Sequence, residues 1–137
     1  TFLGPYKKYD VTGKNAPKSW LTKDTDIVKA YYSNPKCTFK FSLNAYMGLF
    51  EAVYFDNQKK NIDKIPKELP VFIVSGEDDP VGDLGEGVKK VYQKFLQAGM
   101  KDVSCKLYKN DRHEILNEID REQVYADLLG WMQKRIK

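Results

Sequence analysis

Apolar positions along this chain change their spacing near residue 61. Before it they recur at helical intervals between loops; after it, short strand-like runs alternate with helical stripes. Residues 1–23 show no clear period. Gly4-Pro5, Thr12-Gly13 and Ala16-Pro17 punctuate them, and Trp20-Leu21 supplies one apolar anchor, so a loop is expected. Thr22 to Asp24 offers a cap for a short helix carrying Ile27, Val28, Tyr31 and Tyr32, which Asn34-Pro35 ends. A link through Cys37, Phe39 and Phe41 follows. Ser42 then caps a longer helix with Leu43, Tyr46, Met47, Phe50 and Tyr54 in one stripe, widened by Leu49 and Val53. That stripe is expected to pack as core; the alternative is the wall of an apolar substrate pocket. Residues 57–64 are polar and basic, and Ile65-Pro66 closes them.

The second part reads β-α-β-α. Residues 71–74 form an apolar run between Pro70 and Ser75-Gly76, which predicts a short strand buried on both faces, as in a parallel sheet. It ends in the acidic loop Gly76-Glu-Asp-Asp79-Pro80. After a loop through Gly82, Gly85 and Gly87, a helix carries Val88, Val91, Tyr92, Phe95 and Leu96, and Gly99 terminates it. Val103, Cys105 and Leu107 alternate with polar neighbours, a half-buried strand. The last helix is expected to run to the C-terminus, capped by Asp120 with Gln123 three residues on. Its inner stripe would be Val124, Leu128, Met132 and Ile136. The predicted class is α/β: a mostly helix-and-loop segment over 1–61, then a β-α-β-α unit with parallel strands over 62–137.

Composition narrows the function. Apolar content of 42% and charged content of 31% in 137 residues describe one folded domain. The net charge of +4 is mild and the lysines are scattered, so no nucleic-acid footprint is expected. Cys37 and Cys105 lack CxxC spacing; two free buried thiols in a reducing compartment, and hence a cytoplasmic location, are the expectation. No apolar run approaches the roughly 18 residues of a membrane span, and no signal peptide is visible.

Known metal and cofactor signatures do not fit. Asn117 stands where HExxH needs a second histidine after His113-Glu114. Gly82-Asp-Leu-Gly85-Glu-Gly87 has the wrong spacing for a dinucleotide loop and carries acids where a phosphate would sit. Glu77, Asp78, Asp79 and Asp83 are of the type that holds Mg²⁺, but a solvated acidic loop is the preferred reading. No metal and no cofactor are expected.

What remains is a carboxylate at a strand end and the single histidine, His113, one crossover further on. In open α/β sheets ligands bind outside the carboxyl ends of the strands. An imidazole there takes a proton from a nucleophile at neutral pH, and a carboxylate on its other nitrogen fixes its tautomer. In α/β-hydrolases the chain order is Ser, Asp, His; here the Asp and the His follow that order.

Three stretches carry a resemblance to a known family: Ile65-Pro-Lys-Glu-Leu-Pro70, Val74-Ser-Gly-Glu-Asp-Asp-Pro-Val-Gly-Asp83 and Asp111-Arg-His-Glu-Ile-Leu-Asn-Glu118. Together they resemble the C-terminal half of an α/β-hydrolase of the bacterial lysophospholipase or monoacylglycerol-lipase-like group, among the S33 serine aminopeptidase-type hydrolases. Trp20-Leu-Thr-Lys-Asp24 and Asn34-Pro-Lys-Cys-Thr-Phe-Lys-Phe41 are similar to that group's cap, which covers the acyl pocket. The resemblance implies Asp79 as triad acid, chosen over Asp78 by its place before Pro80-Val81, and His113 as base. By the same analogy Phe50 and Tyr54 would line an acyl site. It implies a serine hydrolase acting on carboxylic esters of lipid-like substrates. Yet GxSxG is absent: Ser19, Ser33, Ser42, Ser75 and Ser104 all lack that setting. The chain is therefore expected to be a C-terminal fragment, inactive alone, with the nucleophilic serine elsewhere. Its unpaired strand edges imply pairing with the missing N-terminal half or with a second copy in a homodimer. The alternative is a truncated, non-catalytic module acting in self-association or binding.

Overall fold

The structure is a computed structural model and describes residues 4–136. Strand β1 (Val71–Gly76) and strand β2 (Val103–Tyr108) pair in parallel, in register from Val71 opposite Val103 to Gly76 opposite Tyr108. Parallel pairing demands a crossover, and helix α4 (Glu86–Gln97) supplies it. Gly85, at φ +86°, makes the left-handed entry to α4, and a Cβ there would strike Leu107 at 2.8 Å. The helix ends as expected, with Gly99 left-handed at φ +84°.

Helix α5 (Arg121–Gln133) covers the face of the sheet that carries Phe72, Val74 and Tyr108. Val124 packs with Tyr108 and Ile115, with Val74 and Leu128 beside them, and Trp131 stacks on Phe72 at 5.7 Å. On the opposite face the loop entering α4 lies against the sheet, Gly85 beside Leu107 and Gly82 beside Ser75. Helices therefore flank both faces of a two-stranded parallel sheet, the α/β architecture expected.

Several local expectations are corrected. Residues 71–74 are half-buried rather than enclosed, because β1 has only β2 beside it among the described residues. The stripe of α5 is buried at Val124, but Met132 is 45% and Ile136 74% exposed: the helix runs past the edge of so narrow a sheet. Asp120 precedes α5 but makes no capping bond; its carboxylate turns to the Lys23 ammonium, 3.5 Å away. Cys37 and Cys105 are free and partly buried rather than enclosed, and burial pushes the Cys105 thiol up.

In the first part, α1 (Thr25–Ser33) and α2 (Leu43–Asp56) start at the expected caps. Asp24 accepts from the N–H groups of Asp26 and Ile27, and Ser42 from that of Ala45. The short helix α3 (Lys59–Ile62) falls in the polar stretch where no element was predicted. Its Ile62 is buried, a single apolar contact too sparse to leave a period. The aromatic stripe of α2 does not pack as core: no residue of α2 is buried. By contrast, the aperiodic segment before α1 ends in an enclosed stretch. Its 3-10 turns Gly4–Lys8 and Ala16–Lys18 lead to Ser19, Leu21 and Thr22, all buried. No helix among the described residues is long and apolar enough to cross a membrane.

Candidate active site

Two loops leave the carboxyl ends of β1 and β2 side by side, and backbone bonds tie them together. The Glu77 N–H donates to the Tyr108 carbonyl and the Asp78 N–H to the Asp111 carbonyl, each at 2.8 Å. Gly76 lets them come this close. A Cβ on it would lie 2.2 Å from the Arg112 carbonyl oxygen and 2.3 Å from that of Asp111, so here glycine supplies room rather than an unusual φ.

This arrangement brings Asp79 and His113 together. Asp79 is 5% exposed. Its Oδ1 accepts the Val81 N–H at 2.8 Å, and its Oδ2 lies 3.1 Å from His113 Nδ1. A carboxylate only accepts, so the shared proton belongs to Nδ1 and Nε2 is left with its lone pair. The hydrogen bond to Asp79 is the main reason that His113 holds its proton more strongly than an ordinary imidazole. Burial opposes it, and the charges of Asp79 and Glu114 add to it. Chemically this is a base oriented and made more basic by a buried acid.

Of the two adjacent acids, Asp79 is the one that meets the imidazole. Asp78 faces solvent and meets Lys8 at 3.4 Å, while its carbonyl accepts from the Tyr9 hydroxyl at 2.7 Å. Glu77, Asp78, Asp79 and Asp83 do not converge among the described residues. The carboxylates that do are Asp111, Glu118 and Asp120, and Lys23 already sits among them, 2.6 Å from Asp111.

Phe50 and Tyr54 lie on α2, 65% and 70% exposed. The N-terminal segment supplies aromatic surface beside the imidazole. Trp20 lies over His113 with ring centroids 4.9 Å apart, and Tyr6 meets Trp20 edge-on at 5.7 Å. Trp20 Nε1 donates to the Tyr32 hydroxyl at 3.2 Å. Burial first, then the charge of Asp79, push the Tyr6 phenol up. A cleft of about 580 Å³ opens next to Trp20, lined in part by Tyr6, Tyr31, Tyr32, Cys37 and Phe39. Sequence reasoning saw Trp20 as an anchor but not its place on the imidazole, since nothing in the spacing links residues 20 and 113.

Residues 3–120 match the family described as serine aminopeptidase, S33. The chain therefore belongs to that α/β-hydrolase family. It is similar to an uncharacterised abhydrolase domain-containing protein of Dictyostelium discoideum, 25% identical over 85% of this chain and 12% of that protein. Among solved structures it resembles a thermostable carboxyl esterase from Bacillus coagulans in complex with glycerol (TM-score 0.77, 25% identity). That match covers 97% of this chain and 48% of the esterase. A lipase in its open form gives a TM-score of 0.79 at 26% identity, over 97% and 43% of the two chains. A soluble variant of the Saccharomyces cerevisiae monoglyceride lipase shares the fold at TM-score 0.62 and 23% identity, over 85% and 41%. The chain thus spans less than half the length of each of these relatives.

Proposed function

We propose that this chain supplies the acid and the base of a serine hydrolase that cleaves carboxylic esters of lipid-like substrates. Asp79 orients His113, and the His113 Nε2 lone pair takes the proton of a serine that lies outside this chain. The serine attacks the ester carbonyl, the alcohol leaves with the proton from His113, and water releases the acid from the acyl-enzyme. The Asp79–His113 pair at the carboxyl ends of two parallel strands carries this reading. The aromatic cleft beside Trp20 offers apolar surface for part of such a substrate. Alone, the chain is expected to be inactive, because nucleophile and oxyanion donors are the main sources of rate.

Surface area supports a covering partner. The chain exposes 9637 Å², against about 7,400 Å² for a compact monomer of its mass. The difference exceeds one side of a standard interface, about 800 Å². We assign that surface to the N-terminal half of the same hydrolase fold. A second copy is the alternative, favoured by the exposed apolar residues of α2, and fits a non-catalytic self-associating module.

The test is an ester assay on the complete reading frame. With a GxSxG serine upstream, hydrolysis of monoacylglycerol or lysophospholipid should appear and fall by at least about a hundredfold in His113→Ala. Full activity in His113→Ala, or no ester hydrolysis by the complete protein, excludes the hydrolase reading.

A further inference from the structure

We propose that Glu118 is a positioning residue for His113, acting through the backbone of the loop 110–114 rather than by touching the imidazole. This deepens the triad reading above and rests on it. The Glu118 side chain is fully buried, and three donors converge on it. Oε1 accepts the Arg112 N–H at 2.8 Å; Oε2 accepts the Lys23 N–H at 3.0 Å and lies 3.0 Å from the Thr22 hydroxyl, whose one proton it shares with the Asn117 carbonyl, also at 3.0 Å. The Lys23 ammonium lies 3.9 Å away.

Each donor bears on the base. Arg112 immediately precedes His113, so its N–H bond sets where the histidine's backbone begins. Thr22 and Lys23 continue the segment whose Trp20 covers the imidazole, and whose Trp20 and Leu21 carbonyls accept the N–H groups of His113 (3.4 Å) and Glu114 (2.8 Å). On the other side, the Asp111 carbonyl receives the N–H of Asp78, the neighbour of Asp79. Glu118 thus clamps from behind the loop whose front meets the triad acid. Only a carboxylate of this length suits the place. A glutamine would turn its NH₂ toward one of the donors, and an aspartate is a methylene short.

The test is ¹H and ¹⁵N NMR of this chain, whose single histidine makes the imidazole signals unambiguous. The triad reading expects a downfield, exchange-protected Nδ1 proton that Asp79→Ala abolishes; if the native chain lacks that proton, the triad reading itself fails. Given the proton, Glu118→Gln should make it exchange at least about tenfold faster, since a bond to a charged acceptor is lost. Thr22→Val, which removes one donor without changing charge, should accelerate exchange by a smaller factor and decides the matter if Glu118→Gln does not fold. Met100→Ala, a buried site at the far end of the sheet, is the control for general loosening. Native exchange in both Glu118→Gln and Thr22→Val, or equal acceleration in Met100→Ala, overturns the proposal.

Discussion

Replacing Gly76 with alanine tests the close approach of the two loops. An ordinary contact of a Cβ begins at 3.4 Å, whereas the Arg112 and Asp111 carbonyl oxygens would stand at 2.2 and 2.3 Å. These are backbone atoms and cannot swing aside, so the loop carrying His113 has to retreat by about 1.2 Å. Forcing a methyl into a packed site costs about 1–3 kcal/mol, and the Asp78 to Asp111 bond of 2.8 Å adds about 1 kcal/mol when it stretches past its range. The urea midpoint should therefore fall by about 1–2 M. His113 moves with its loop, so its 3.1 Å contact with Asp79 opens to about 4 Å, beyond hydrogen bonding. In an NMR titration the single imidazole should then lose protons at lower pH than in the native chain. An unchanged urea midpoint would refute the steric reasoning. A large loss of stability with an unchanged His113 titration would refute the coupling between Gly76 and the pair.

Other outcomes follow from the same geometry. His113 holds its proton more strongly in the fold than in the unfolded chain, chiefly through the Asp79 bond. The stability this adds is complete below the ordinary histidine midpoint and is lost as pH rises through the raised, folded one. Urea unfolding across that interval should show the decline, and Asp79→Asn should flatten it; equal slopes would contradict the pairing. Val124 is fully enclosed against Tyr108 and Ile115, so Val124→Ala should cost about 2 kcal/mol in the same assay, and a neutral result would mean that α5 docks elsewhere. Leu43 and Phe50 on α2 are 82% and 65% exposed. If α2 joins two copies, lysine at both positions should reduce the sedimentation coefficient at high concentration without lowering stability; no change would remove α2 from any such contact.

The sequence by itself determined most of the framework. The apolar run at 71–74 marks a strand with a layer on each face, while the helical stripe from Val88 to Leu96 and the alternation at Val103 to Leu107 each leave a local period. Caps at Asp24 and Ser42 were legible because a cap is a bond to the next few residues. Asp79 and His113 were legible as well, since a strand end followed by one crossover constrains where both fall.

Tertiary structure decided the rest, because it depends on contacts between residues far apart in the chain. The segment before α1 has no period, yet its Trp20 covers His113 and its Thr22 and Lys23 bind Glu118. Those partners lie more than ninety positions away, and their bonds run through irregular backbone. The stripe on α2 shows the converse. Apolar spacing states that a helix has a face to bury, but which surface receives it is set by the assembled fold; within this chain the stripe stays exposed. Asp120 likewise had the local sequence of a cap, and Lys23, brought near by folding, took its carboxylate instead.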